Sequence, residues 1–130
     1  MVWCETFEKG RNTEMAAFDP EYKAFLEDVN DRVVDLMIPF KKGDYVHKDF
    51  MGSASIKKVL PVLVPELSYK ELGIQNGEEA LRLWSEAVLE GKCPEEEKDK
   101  RMSNLIEYCK LDTLAMVKIL KVLKESINKK

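Results

Sequence analysis

A single histidine, His47, and three cysteines, Cys4, Cys93 and Cys109, leave this chain short of the usual equipment for nucleophilic hydrolysis. A Ser-His-Asp or Cys-His site could use only His47, which lies in a stretch with neither helical nor strand periodicity. The cysteines form no Cys-x-x-Cys pair, and their odd number leaves one unpaired, which argues against a zinc ribbon and a disulfide scaffold. Reduced thiols are expected. No apolar run approaches the ~18 residues of a membrane span, and the start, Met-Val-Trp-Cys-Glu-Thr, lacks the basic end and apolar stretch of a signal peptide. A cytoplasmic protein with no membrane partner is the expectation. Proline, glycine and serine are sparse while 45% of the 130 residues are hydrophobic, so a packed core is expected rather than wholesale disorder. That length suits one domain over residues 1–130, or a fragment of one.

Net charge is only −3, but it is unevenly spread. Residues 1–40 carry 4 basic and 9 acidic groups, 41–58 carry 5 and 2, 59–97 carry 3 and 9, and 98–130 carry 9 and 4. A polyanion could meet the two basic blocks if the fold brings them together. Solvated helix faces would give the same pattern.

Periodicity makes this a mostly α chain of five or six helices with at most one or two short strands. Val2-Trp-Cys could end a strand. A helix runs from Glu8 with Met15, Phe18 and Ala16 on one side, until Asp19-Pro20 interrupts it with a cap and a first-turn proline. Tyr22, Phe25, Leu26 and Val29 then recur as an apolar stripe, continuing toward Val33 and Leu36. The run Arg32–Pro39 reads equally as a short buried strand or a helical turn. Residues 41–52 look like a loop packed down by its aromatics. Ser53 or Ser55 can cap a helix carrying Ile56, Val59, Leu60 and Leu63, which Pro61 and Pro65 should cut short. Ser68–Glu71 and Asn76–Glu79 have the capping-box form, and Gly91 is a natural stop. The last and longest helix opens at Cys93-Pro-Glu-Glu-Glu97, with Lys121, Lys124, Lys129 and Lys130 toward its other end.

On that helix, at ~100° per residue, Met102, Leu105, Cys109, Met116, Leu120, Leu123 and Ile127 fall within one arc, and Asp112 falls near its middle. A carboxylate on a face that should be buried needs a cation, a donor or a raised pKa to account for it. Tyr108, one turn earlier, lies on the edge of the same face. An aspartate that caps a neighbouring helix or pairs with a lysine would sit there equally well.

The run Glu107-Tyr-Cys-Lys-Leu-Asp-Thr-Leu-Ala-Met-Val-Lys-Ile-Leu120 resembles the third motif, Tyr-x-x-x-Asp, of DnaQ-like (DEDDy) 3′→5′ exonucleases. Three more blocks, Trp3-Cys-Glu-Thr-Phe-Glu-Lys-Gly-Arg11, Val34-Asp-Leu-Met-Ile-Pro-Phe40 and Gly52-Ser-Ala-Ser-Ile-Lys-Lys-Val-Leu-Pro61 with Val64-Pro-Glu-Leu-Ser-Tyr69, resemble a bacterial family, domain of unknown function 2779, that is related to that fold. The resemblance implies the C-terminal, helical portion of an RNase H-like α/β exonuclease fold. It makes Asp112 a metal ligand, Tyr108 the phenol that positions the attacking water, and Glu8 the second-motif acid, where the superfamily has Asp in Asn-x-x-Phe-Asp and this chain has Cys4 in place of Asn. Lys57 and Lys58 would contact a single-stranded DNA or RNA substrate. In a complete domain, Mg²⁺ or Mn²⁺ would be held by acids that include an Asp-x-Glu pair tens of residues before the second motif. No such pair precedes Glu8 here, so the chain is expected to bind no metal tightly and to be a poor nuclease alone.

Two functions from different classes follow. One is the second- and third-motif part of a nuclease domain, dependent on a missing N-terminal part. The other is a non-catalytic helical module that binds a partner or itself, because missing strands would leave apolar helix faces and the Trp3 segment uncovered.

Overall fold

The computed structural model describes residues 1–128, which include six α-helices and no strand beyond one isolated bridge. The mostly α class expected from the periodicity is therefore found. Two compact units divide the chain, Met1–Val62 and Leu63–Lys130. Among the described residues no helix is long and apolar enough to cross a membrane, and all three cysteines are free.

In the first unit, α1 (Glu5–Phe18) packs on α2 (Lys23–Asp31) across a 3₁₀ turn at Pro20–Tyr22. Asp19 makes the corner by accepting the Glu21 N–H, and Pro20 takes the first position of the turn, as that dipeptide predicts. The ambiguous run after α2 splits. Val2 pairs in parallel with Asp35 through a Val2 N–H to Val34 carbonyl bond of 2.9 Å and a Leu36 N–H to Val2 carbonyl bond of 2.9 Å, and then α3 (Ile38–Lys41) begins.

Asp35 organises this corner. Its carboxylate accepts the N–H of Cys4 at 3.0 Å, Glu5 at 2.9 Å and Met37 at 2.8 Å, so it caps α1 from a segment thirty residues away. Cys4, which precedes α1, has a φ of 80° and gives no side-chain cap. Left-handed backbone costs a residue with a β-carbon ~1–2 kcal/mol, and the Asp35 bonds help to hold it. Burial works to raise the Asp35 carboxyl, but the three N–H donors, with Lys41 beyond them, outweigh it and hold it below the ordinary value.

The loop after α3 is packed by aromatics, as expected. Phe40 stacks on Trp3 at 5.5 Å and meets Tyr45 at 5.7 Å and Phe50 at 5.8 Å. Trp3 also donates its indole N–H to the Ala54 carbonyl at 3.1 Å. The Trp3 segment is thus covered within its own unit, contrary to the expectation that it would lie open. His47 serves the fold: its Nδ1 accepts the Asp49 N–H at 3.2 Å and caps the 3₁₀ turn Lys48–Phe50. α4 (Ile56–Leu63) carries the fully buried Val59 and Leu60 and passes through Pro61. Only Pro65 ends it, by forcing the preceding residue out of helical backbone.

In the second unit, Ser68 accepts the Lys70 N–H and starts a single 3₁₀ turn, Tyr69–Glu71, rather than the α-helix its capping box suggested. Asn76 does cap α5 (Gly77–Trp84), accepting the Glu79 N–H at 2.8 Å, while Glu79 reaches back to the Gln75 N–H instead of to Asn76. A π-helical turn, Ser85–Leu89, follows, and Gly91, at φ 62°, supplies the left-handed residue just beyond it. α6 (Glu95–Asn128) then runs for 34 residues, a rod of ~50 Å. Lys121 and Lys124 are exposed near its end; Lys129 and Lys130 lie outside the described residues.

The buried stripe of α6 differs from the expected arc. Ala115 and Ile119 are completely buried, whereas Cys109 is exposed and Ile127 is 72% exposed. The inward face is therefore turned about a quarter of the circumference from the most hydrophobic one, and Asp112 lies at the edge of the apolar arc, between the two faces, rather than in the middle of that arc. Small Ala115 and β-branched Ile119 are fully buried, while Met102, Leu105, Met116, Leu120 and Leu123 of the expected arc are only half-buried.

Candidate functional site

Asp112 and Tyr108 sit one turn apart on α6, both half-buried. The 3₁₀ turn of the same unit brings Tyr69 against them. Its side chain is only 6% exposed, its ring lies 5.9 Å from that of Tyr108, and its hydroxyl donates to Asp112 Oδ1 at 2.6 Å. That is the short distance of a charge-assisted bond. Two phenols thus face one carboxylate, which answers how a charge is tolerated on this side of the helix: no cation is needed because an O–H donor is built in. The loop after Tyr69 approaches α6 closely, since a β-carbon at Gly73 would come within 2.7 Å of Asn104 Nδ2.

The electrostatics follow from that enclosure. Burial, then the hydrogen bond to Asp112 and its negative charge, push the Tyr69 phenol far above its ordinary value. Burial, with the charge of Asp112 next, pushes Tyr108 up to about 12. Both phenols are therefore donors at neutral pH and neither can act as a base. The cluster can offer the free Asp112 oxygen to a water and the Tyr108 O–H to a water or an anionic oxygen, the Tyr69 O–H being already given to Asp112. It does not by itself fit a divalent ion, which demands several oxygen ligands, because Asp112 is one carboxylate with one oxygen already engaged. Within either unit, no three His, Cys, Asp or Glu side chains among the described residues gather as a metal site.

The other residues singled out in the sequence belong to the first unit. Glu8 is half-buried in the first turn of α1, where the helix dipole favours a carboxylate. Lys57 and Lys58 are exposed in the first turn of α4, and Lys41, Lys42 and Lys48 of the same basic block are exposed as well. Sequence reasoning missed Tyr69 and Asp35. Tyr69 stood within the quoted Val64–Tyr69 block, but nothing in its spacing ties it to a residue 43 positions away. Asp35 was signalled only as a charge in an apolar run, Val33-Val-Asp-Leu36.

No curated protein and no solved structure matches the chain. Residues 1–55 match the model of the family described as Domain of unknown function (DUF2779), a stretch that takes in Glu8 and Asp35 and stops before Tyr69, Tyr108 and Asp112, and the match supports the family resemblance carried by the Trp3–Arg11 and Val34–Phe40 blocks.

Proposed function

We propose that this chain supplies the second- and third-motif portion of a DnaQ-like nuclease domain and is not a competent nuclease by itself. The observation that supports this most is the pairing of Tyr108 with Asp112 on one side of α6, the phenol–carboxylate couple that the third motif requires, with Tyr69 holding the carboxylate in place. Asp112 would direct its remaining oxygen, and Tyr108 its O–H, toward the reacting centre. Glu8, Lys57 and Lys58 would serve the second motif and the phosphate backbone. No catalytic step is assigned to a metal here, because the donors of this chain do not suffice to hold one; the Asp-x-Glu pair would have to be supplied in addition.

Degradation of single-stranded DNA and RNA in Mn²⁺ tests the reading. The chain alone should show none, and robust cleavage by it would overturn the claim of dependence. In a longer homologue that contains the first motif, replacing the aspartate that aligns with Asp112 by Asn should abolish cleavage. Retained activity there would remove the catalytic role. A second reading, a helical interaction module, draws on a separate observation: Phe18 is 93%, Ile127 72%, Leu81 67% and Phe25 61% exposed.

A further inference from the structure

Two apolar surfaces, one on each unit, are left open, and their charges are opposite. On the first unit, Met15, Phe18, Tyr22 and Phe25 surround a cleft of about 650 Å³ on α1 and α2, with Phe18 standing almost wholly in solvent. Acids flank it. Glu14 and Asp19 line the cleft and Glu21 adjoins it; neither Asp19 nor Glu21 makes an ion pair among the described residues. On the second unit, Leu81, Trp84, Ile106, Leu114 and Val117 line a groove of about 880 Å³ between α5 and α6, which holds one charged chain end, Lys110. The α6 side of this groove continues into cations: Lys110, Lys121 and Lys124 fall within ~40° of Val117 around the helix. Lys124 is unpaired among the described residues, while Lys110 and Lys121 hold only exposed neighbours on their own helix, Glu107 and Glu125, at 2.6 and 3.9 Å. Such pairs are worth ~0–1 kcal/mol and exchange readily.

We propose that these surfaces bind each other between two copies of the chain, the Phe18 patch of one seated in the α5–α6 groove of the other. This rests on the interaction-module reading and does not depend on the nuclease reading. A free phenylalanine on one unit and a shallow apolar groove on the other make a knob and a socket, and the burial of such aromatics carries most of the energy of an interface. Charge selects the pairing. Residues 1–40, with 4 basic and 9 acidic groups, repel a copy of themselves but attract residues 98–130, with 9 and 4. Because each copy carries both surfaces, the contact is heterologous, and it can be made reciprocally in a pair or repeated along a row.

Sedimentation velocity of the full chain across the micromolar range tests this. Association is expected, and it should weaken as salt rises from about 0.05 to about 0.5 M, because the charge term is screened. Phe18→Ser and Val117→Glu act on side chains that are 93% and 52% exposed, so both variants should fold, with unchanged circular dichroism, and each should weaken association ~10-fold or more. Mixing the two is decisive. The Phe18 variant keeps its groove and the Val117 variant keeps its knob, so the mixture should recover one contact and associate more strongly than either alone. A strictly monomeric chain would sink both the pairing and the self-association reading, leaving the surfaces to another protein. Self-association that is blind to Val117→Glu, or a mixture that shows no recovery, would overturn the knob-and-groove pairing while keeping self-association.

Discussion

Asp35 and Asp112 are both half-buried aspartates, one in each unit, and their surroundings divide architecture from chemistry. Asp35 faces backbone. Three N–H groups converge on it, fix the start of α1 and turn the chain into α3, so that its carboxylate is committed to holding the fold. Asp112 faces side chains. One oxygen takes the Tyr69 hydroxyl, and a second phenol, Tyr108, lies beside it. A carboxylate that takes three backbone N–H groups is spent on the fold; one held by a phenol keeps its second oxygen for other partners. The same residue type is a joint in one unit and a candidate reacting group in the other.

That contrast breaks most visibly on removing the joint. Asp35→Ala strips α1 of its cap and leaves three N–H groups without their acceptor, while Cys4 loses what offsets its left-handed backbone. The expected loss is about 2 kcal/mol of unfolding free energy, read from urea denaturation. Asp35→Asn keeps acceptor oxygen but not charge and should lose about half as much. Equal, negligible losses in both variants would mean that α1 is held by its packing on α2 alone.

Protonation separates the two sites by pH. The folded-state pKa of Asp35 is lowered, so its contribution is present above the unfolded value of ~3.9 and is lost as pH falls through the folded value. Both tyrosines shift the other way. Their contribution is complete below the unfolded value of ~10 and drains away as pH rises, for Tyr108 toward about 12. Acid should therefore loosen the first unit, seen as faster exchange of the Cys4 and Glu5 amides. Alkali should loosen the second, seen in a late, cooperative rise of phenolate absorbance. Tyr69 and Tyr108 titrating at the ordinary phenol value would contradict the enclosure described for them.

How far the sequence disclosed all this depended on whether a signal was local. Caps and breakers acted within a few residues, so Asp19-Pro20, Asn76 and Gly91 fell where they were expected, and the helices between them with few exceptions. Periodicity located apolar stripes but said nothing of what covers them. Phe18, Tyr22 and Phe25 look like core and lie in solvent, and α6 buries Ala115 and Ile119 fully while most of its greasier arc is only half-buried. Tyr108 and Asp112 could be paired because one helical turn links them. Tyr69 and Asp35 could not, since their partners lie 43 and about 30 positions away and only the fold creates those bonds.

The smallest expected effect bears on the second half of the comparison. Tyr69→Phe deletes a single hydroxyl and leaves the ring in its pocket, so it should cost only about 1 kcal/mol. Asp112→Ala should cost somewhat more, because it strands the buried Tyr69 hydroxyl without an acceptor. In the double variant Tyr69→Phe with Asp112→Ala neither group is stranded, and the summed loss should fall short of additivity by the coupling between them. If Asp112 exists to anchor the 3₁₀ turn, Asp112→Asn will be nearly as damaging as Asp112→Ala, since an amide oxygen accepts the phenol less well than a carboxylate does. If it is instead the reacting group, Asp112→Asn will leave stability within ~0.5 kcal/mol and remove only the chemistry of a completed domain. Chemical denaturation of the three single variants and the double variant decides between the two, because stability and activity then part company at one atom.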